Sequence, residues 1–317
     1  MSADGRSLGI RLRERDLAAA PAALNLLESS APADLQQARL LLDELSPQAL
    51  GGEPAGHLIG LTGPPGAGKS TLLSALAREL RERERTVAIL AVDPSSRRSG
   101  GSLLGDRARI EHDPADRGLL IRSTAAGQRL GGIAAPTRAA ALALAACFDV
   151  VIVETVGVGQ AETDVADLAD TVAVVVQPGS GDALQFIKAG IMEVPDVLVV
   201  TKSDLGQVAM KARRDLSAAL RSLGASETEV VAVSSLPPAQ GVAELLAALE
   251  RHRARIDVTA RRAAGRREAA LRSFTLEHGE AALRALGGRR AASARLEAAE
   301  DELDERQLVG LLEEQLS

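Results

Sequence analysis

The chain has almost none of the residues from which several common kinds of functional site are built. It contains one cysteine, Cys147, no tryptophan, no tyrosine and three phenylalanines. A single thiol excludes an internal disulfide framework, and with four scattered histidines it offers no Cys/His metal cluster. The near absence of aromatic side chains leaves little for nucleic-acid bases to stack on. These absences predict a protein of a reducing, cytoplasmic compartment.

Two further absences concern membranes and charge. No apolar run approaches the roughly 20 residues that span a bilayer, and the first residues lack the apolar stretch of a secretory signal. The formal net charge of −6 gives no general attraction to polyanions. We therefore expect neither a membrane nor a nucleic acid as a partner, and any bound phosphate must be held by local geometry.

The basic residues are overwhelmingly arginine, and the chain has only four lysines. A flexible ammonium group and a planar guanidinium group are not interchangeable, so each rare lysine marks a position where a point charge matters. Two of the four, Lys69 and Lys202, lie in the motifs described below.

The apolar pattern divides the chain of 317 residues, 46% of them hydrophobic, into three predicted parts. Residues 1–56 carry leucines at helical spacing, which predicts an N-terminal helical segment. Residues 57–250 alternate short apolar runs with helical stretches, which predicts a doubly wound, mainly parallel α/β sheet with ligands at the carboxyl ends of its strands. Residues 251–317 indicate amphipathic helices that either pack back on the domain or form an arm that pairs with a second subunit.

A glycine-rich loop, GPPGAGKS, follows the first predicted strand and opens a helix, which is the context that a phosphate-binding loop requires. Its backbone N–H groups would surround the α and β phosphates, and the helix N-terminus would add a favourable dipole. Lys69 would reach the β and γ phosphates, and the hydroxyl of Ser70 would bind Mg²⁺. The predicted phosphate-binding residues are Gly63, Pro64, Pro65, Gly66, Ala67, Gly68, Lys69, Ser70 and Thr71.

Acidic residues follow two of the predicted strands, where they are either exposed strand ends and caps or ligands of a cation. Glu154 comes directly after the apolar run 150–153, and Asp93 ends the run AILAVD. Mg²⁺ on a triphosphate needs only one or two protein carboxylates besides the loop hydroxyl. We predict that Asp93 and Glu154 supply or orient metal ligands, directly or through water, with Asp106 nearby. Gly157 would let the following loop respond to the γ-phosphate through its backbone N–H.

The stretch DVLVVTKSD places Thr201, Lys202 and Asp204 after another predicted strand, in the pattern [NT]-K-x-D of proteins that read guanine. A carboxylate accepts two hydrogen bonds from the ring N–H and the exocyclic amine of guanine, which adenine cannot reproduce. The stem of the lysine would pack over the ring. Ser234 or Ser235, at the end of the next strand, would approach the base through its backbone.

With these residues in place, the chain resembles the MeaB/ArgK family of P-loop GTPases. The resemblance covers about residues 58–204 and is carried by GLTGPPGAGKSTLL, VAILAVDPSS, SGGSLLGDRARI, DVVIVETVGVGQAETDVADLAD and QPGSGDALQFIKAGIMEVPDVLVVTKSD. The long strings ETVGVGQ and GDALQFIKAGIME are far more specific than a phosphate loop alone. The family usually has asparagine where this chain has Thr201.

The resemblance implies a P-loop fold with a SIMIBI-type G domain and a homodimer formed through the C-terminal helical arm. It implies a GTP-hydrolysing chaperone of a cobalamin-dependent acyl-CoA mutase, such as methylmalonyl-CoA mutase, that gates the loading of adenosylcobalamin and protects or reactivates the enzyme. By the same resemblance, Asp106 falls on a phosphate or Mg²⁺ position. Asp182, Gln185 and Lys188 fall on a mobile third switch that signals to the partner.

Three other classes of protein share parts of this pattern. A metal-insertion GTPase of the hydrogenase or urease maturation type is expected to carry a Cys/His metal site, for which this sequence lacks the residues. A signal-recognition-type GTPase favours T-K-x-D but would want a methionine-rich domain, and the chain has three methionines. A small-molecule kinase or ATPase stays open, because only competition between ATP and GTP separates it from a GTPase.

Overall fold

The computed structural model describes residues 4–93, 110–125, 133–155, 160–179 and 195–316, with the backbone alone at 93, 125 and 160–163. Four helices come first, and the N-termini of two of them are capped by the side chains of Asp4 and Ser46. They are α1 (Gly5–Arg13), α2 (Ala20–Glu28), α3 (Pro32–Asp43) and α4 (Pro47–Leu50). Residues 1–56, predicted as helical, are therefore helical over most of the described length.

Strands and helices alternate in the middle of the chain, as the apolar runs predict. The strands are β1 (His57–Thr62), β2 (Val87–Asp93), β3 (Leu119–Ala125), β4 (Val150–Thr155), β5 (Thr171–Val176), β6 (Val197–Val200) and β7 (Glu229–Ala232). The helices between them are α5 (Lys69–Glu82), α6 (Ala135–Cys147), α7 (Gln160–Leu168) and α8 (Gln207–Ser222). After β7 come α9 (Val242–Arg255), α10 (Val258–Ala285), α11 (Arg289–Glu297) and α12 (Glu305–Glu313).

All these strands form one sheet in the order β3-β2-β4-β1-β5-β6-β7, and every neighbouring pair is parallel. The runs in β1, β4, β5 and β6 are buried throughout because helices cover both faces of the sheet. The predicted doubly wound parallel α/β fold is confirmed. The β1 strand lies between β4 and β5, so the loop that follows β1 is flanked by the ends of both neighbours.

Two large hydrophobic clusters lie on the two faces of the sheet, besides a smaller one that packs α8 against β5 and β6. One contains leucines of α1, α2 and α3 together with α6, α7 and inward residues of β1, β2 and β4. The other contains α5 and α9 against the alternate residues of the same strands. The N-terminal helices therefore share a core with the sheet. A separate cluster joins α10, α11 and α12.

Helix α10 is tied to the amino-terminal end of the sheet by Arg262. The guanidinium of Arg262 donates two hydrogen bonds of 2.7 Å to the carboxylate of Asp170 and further ones to the carbonyls of Pro54 and Gly56. Its side chain is 2% exposed, and that of Asp170 is 0% exposed. Arg262 thus connects the segment before β1, the start of β5 and the C-terminal helices. No helix within the described ranges is long and apolar enough to cross a membrane.

Candidate nucleotide-binding site

The loop between β1 and α5 has the shape that a phosphate-binding loop needs. Gly63 has φ +147°, and a Cβ at this position would lie 2.2 Å from the carbonyl oxygen of Val175. Only glycine therefore lets the chain leave β1 so close to β5. Gly68, in the left-handed region, is the N-cap of α5, and Lys69 and Ser70 begin that helix. The first N–H groups of a helix have no acceptor within the helix, so this helix end favours an anion.

Lys69 and Glu154 lie together beside the loop, although they are 85 positions apart in the chain. The Nζ atom of Lys69 donates to the carbonyls of Gly63 at 2.7 Å and Pro64 at 3.3 Å, and it lies 3.8 Å from Oε1 of Glu154. Each of the two charged side chains is only 7% exposed. A buried charge is retained where an opposite charge or a ligand compensates it. This buried pair is therefore the candidate reactive position beside the loop.

The register of the sheet explains how Glu154 reaches the loop. Glu154 pairs with Leu61 of β1 and with Ala91 of β2, so it lies on the same sheet face as these residues. Asp93 follows Ala91 by two residues, which places it on the same face one step further along β2. The predicted acidic positions of β2 and β4 therefore share one face at the carboxyl edge of the sheet.

Thr201 connects the predicted base-reading segment to the phosphate loop. Its buried hydroxyl lies 2.6 Å from the carbonyl oxygen of Ala67 and 3.0 Å from that of Val176. The first distance is that of a short O–H···O hydrogen bond. Thr201 therefore fastens the end of β6 to the loop.

Lys202 extends from this point over the loop. Its backbone is in the left-handed region, at φ +53° and ψ +42°, which is uncommon for a residue with a Cβ. Its Nζ atom donates to the carbonyl of Gly66 at 3.3 Å and to Oε1 of Gln177 at 2.6 Å. Gln177 is not among the predicted site residues. Its position directly after a buried strand of the same sheet was the available signal.

Asp204 and Ser234 meet at the ends of β6 and β7. The hydroxyl of Ser234 donates to Oδ1 of Asp204 at 3.0 Å, while Asp204 itself is exposed. The backbone N–H of Ser234 donates to the carbonyl of Gln240 at 3.0 Å. The structure thus gives the side chain of Ser234 a role in orienting Asp204, and Ser235 follows it at the same edge.

Several predicted site residues cannot be placed in this geometry. Asp106, Gly157, Asp182, Gln185 and Lys188 lie outside the described residues, and of Asp93 only the backbone is described. Pro64, Pro65 and Thr71 lie in or directly after the loop, with Pro65 and Thr71 exposed. The remaining predicted residues lie at the carboxyl ends of β1, β4, β6 and β7.

A parallel sheet with a lysine-bearing glycine loop after its first strand and a T-K-x-D segment at the same edge defines a P-loop GTPase. The family model described as Methylmalonyl Co-A mutase-associated GTPase MeaB matches residues 20–285, and the chain belongs to this family. The resemblance predicted from the motifs is confirmed.

Individual proteins agree with this assignment. A protein of Mycobacterium tuberculosis named Probable GTPase is 42% identical over 253 residues, which cover 78% of this chain and 74% of that protein. The Methylmalonic aciduria type A homolog, mitochondrial, of Mus musculus is 44% identical over 167 residues, which cover 51% of this chain and 39% of that protein. The crystal structure of an LAO/AO transport system kinase superimposes with a TM-score of 0.68 at 29% identity, covering 99% and 98% of the two chains.

Proposed function

We propose that this protein is a GTP-hydrolysing accessory protein of a cobalamin-dependent acyl-CoA mutase of the methylmalonyl-CoA mutase type. In this role it gates the loading of adenosylcobalamin and protects or reactivates the mutase. The family description and the name of the mouse relative support the choice of partner. The observation that carries the nucleotide chemistry is the meeting of Lys69, Glu154, Lys202 and Asp204 at one edge of the sheet.

The residues beside the phosphate loop would neutralise and orient the triphosphate. Lys69, which already points at two loop carbonyls, would instead meet phosphate oxygens. Hydroxyl and carboxylate oxygens are the ligands that Mg²⁺ prefers, and Ser70, Asp93 and Glu154 would hold this ion. When bound, the ion would neutralise charge that develops on the phosphates. Asp106 belongs to the same proposal as a further acidic group.

The base would lie between the stem of Lys202 and the carboxylate of Asp204. The ring N–H and the exocyclic amine of guanine would donate to Asp204, whose Oδ1 already accepts from Ser234. An adenine base offers no matching pair of donors, so the site would select GTP over ATP.

Partner control would act through the loops at the same edge. Gly157 would respond to the γ-phosphate, and Asp182, Gln185 and Lys188 would signal to the mutase. No glutamine immediately follows Gly157 to orient the attacking water, and Gln160 comes three positions later. Hydrolysis by the isolated protein is therefore expected to be slow and to accelerate when the mutase completes the site. A homodimer formed through the C-terminal helices is part of the proposal.

The test is GTP turnover by the purified protein, with and without methylmalonyl-CoA mutase and adenosylcobalamin. We expect slow turnover alone, a clear increase with the mutase, and loss of both in Lys69→Ala. Fast turnover that the mutase leaves unchanged would contradict partner control. ATP that displaces GTP at equal concentration would instead favour a small-molecule kinase.

A further inference from the structure

The ammonium group of Lys202 is held by the side chain of Gln177, which is not among the predicted site residues. Its hydrogen bond to Oε1 of Gln177 is 2.6 Å long, whereas that to the carbonyl of Gly66 is 3.3 Å long. Hydrogen bonds from a charged donor are shorter and stronger than neutral ones, and the contact with Gln177 has this character. Gln177 follows β5, and Lys202 follows β6, so the contact joins two neighbouring strand ends.

The backbone of Lys202 directs its side chain toward this contact. A left-handed conformation is unfavourable for a residue with a Cβ and persists only where the surroundings fix it, as at Lys202. The flanking N–H groups supply the fixing, because Thr201 donates to the carbonyl of Val176 and Ser203 to that of Val233. The backbone is therefore held on both sides of Lys202. The long side chain is then fixed only through its ammonium group.

The contacts that hold the side chain of Lys202 matter more because residue 201 is a threonine. A threonine hydroxyl has one proton to donate, and that of Thr201 lies within hydrogen-bond distance of the carbonyls of Ala67 and Val176. An asparagine at this position would bring two amide donors. Because Thr201 has a single donor, the second hydrogen bond between the base-reading segment and the phosphate loop comes from Lys202, whose ammonium donates to the carbonyl of Gly66.

We infer that Gln177 is a positioning residue of the guanine subsite, which holds the stem of Lys202 across the phosphate loop where the base packs. The lysine stem has four rotatable bonds, and an exposed ammonium without a fixed acceptor samples many rotamers. Gln177 removes this freedom before the nucleotide arrives. The inference rests on the proposed function of Lys202 as the residue that packs over guanine.

The test is a double-mutant cycle read by the binding of N-methylanthraniloyl-GDP. Gln177→Met keeps the length of the side chain but removes the acceptor, and Lys202→Met keeps most of the stem but removes the ammonium. Each single variant is expected to weaken binding by roughly 10- to 150-fold, the size of one hydrogen bond to a charged group. The double variant is expected to bind like the weaker single variant, because the contact is lost only once.

Two controls separate positioning from a general structural effect. Gln177→Glu keeps an oxygen acceptor for the ammonium and should restore binding to within about twofold of wild type, within the usual error of additivity. Gln36→Met makes the same replacement at an exposed position of α3 and should leave binding unchanged. In steady-state GTP hydrolysis the effect of Gln177→Met should fall mainly on KM and much less on kcat, because the residue acts on the base and not on the phosphates.

The outcomes distinguish this inference from the proposed function. Effects of Gln177→Met and Lys202→Met that multiply in the double variant, or a Gln177→Glu variant as weak as Gln177→Met, would overturn the role of Gln177 and leave the guanine site intact. Wild-type protein that fails to bind the fluorescent nucleotide would contradict the guanine site itself.

Discussion

At the scale of single residues, the proposed selectivity for the base would depend on Asp204 presenting its carboxylate in a fixed direction. The hydroxyl of Ser234 donates to Oδ1 of Asp204 and restricts its rotation. Ser234 is buried and its backbone is fixed by paired hydrogen bonds with Gln240. The exposed carboxylate is therefore anchored to a rigid part of the protein, which a selective site requires.

Replacing Asp204 with asparagine should exchange guanine for xanthine as the preferred base. The new amide donor would face the 2-amino group of guanine, whereas xanthine offers a carbonyl acceptor there. Affinity for GTP should fall on the order of 100-fold or more, and affinity for xanthosine triphosphate should rise. Competition of the two nucleotides against labelled GDP measures both changes. Asp215→Asn on α8 is the control, and an unaltered preference in Asp204→Asn would remove this residue from base reading.

His57 gives the protein a predictable sensitivity to acid. The ring is 2% exposed, its Nε2 atom lies 2.9 Å from the hydroxyl of Thr171, and burial lowers its pKa to about 3. The unfolded chain binds a proton near the ordinary histidine pKa, so stability contributed by neutral His57 is complete above about pH 6.5 and is lost as the pH falls toward 3.

Comparing wild type with His57→Gln isolates this contribution. Between pH 7 and pH 5 the wild type should lose about 2 kcal/mol more of its free energy of unfolding than the variant, since each pH unit below 6.5 is worth about 1.4 kcal/mol. Urea unfolding at both pH values gives the two differences. The carboxylates titrate alike in both proteins, so equal losses would show that His57 is not the group responsible.

At the scale of secondary structure elements, the contact between α7 and α10 is closer than side chains normally allow. A Cβ on Gly265 would lie 1.8 Å from the backbone carbonyl oxygen of Asp167. The contact is reinforced by Arg272, whose Nη1 atom lies 2.5 Å from the carboxylate of Asp167 and whose Nε atom lies 3.6 Å from that of Asp164. Because α7 follows β4, the strand that contains Glu154, this contact joins the edge of the candidate nucleotide site to the C-terminal helices.

Replacing Gly265 with alanine should destabilise the protein although alanine favours helices. The methyl group meets backbone atoms that cannot rotate away, so we expect a loss of about 1–3 kcal/mol in the free energy of unfolding. Gly310→Ala in α12 is the matched control, since a Cβ there meets nothing within 4 Å and should stabilise by about 0.5–1 kcal/mol. Urea unfolding with an unchanged m-value distinguishes the two. Equal effects of the two substitutions on the free energy of unfolding would mean that α7 and α10 move apart without loss of stability.

Elements with a local signal in the sequence were predictable. The unbroken β-branched run 150–153 indicated a strand covered on both faces, and it is central in the sheet. The pattern GPPGAGKS, between a strand and a helix, predicted the position of the phosphate loop because glycine backbone freedom is encoded in the residue itself. The T-K-x-D segment fell at the same edge because parallel strands end together.

Features that depend on contacts between remote positions were not predictable in this way. Gln177 meets Lys202 across 25 positions, and Arg262 meets Asp170 across 92. Neither pairing leaves a trace in a local pattern, and an arginine on a charged helix reads as a solvent-facing residue. The shared core of the N-terminal helices and the sheet was hidden for the same reason, since helical leucines do not indicate which surface they cover.

At the scale of the whole molecule, Arg262 joins parts that the sequence analysis assigned to three domains. Arg262 lies in α10, and it donates to the carbonyl of Pro54, before β1, and to the carboxylate of Asp170, at the start of β5. Asp170 also accepts from the N–H of Leu58 at 2.9 Å, so both oxygens of its carboxylate accept hydrogen bonds. The boundaries 1–56, 57–250 and 251–317 stay a prediction, and any cut between the last two removes this arginine from its partner.

Replacing Arg262 with methionine should therefore weaken the whole molecule and not only the attachment of its C-terminal helices. The buried carboxylate of Asp170 would lose both hydrogen bonds from Arg262 and keep the more distant Arg253, at 3.8 Å, as its countercharge, so we expect a loss of up to about 3–5 kcal/mol. Adding Asp170→Asn should recover part of this loss, because a neutral amide is less costly to bury than a charge. Arg255→Met is the control, since its ion pair with Glu227 is exposed and contributes little. Urea unfolding of the four proteins measures these differences. A loss in Arg262→Met no larger than that in Arg255→Met would mean that the three parts of the chain are stable independently of this contact.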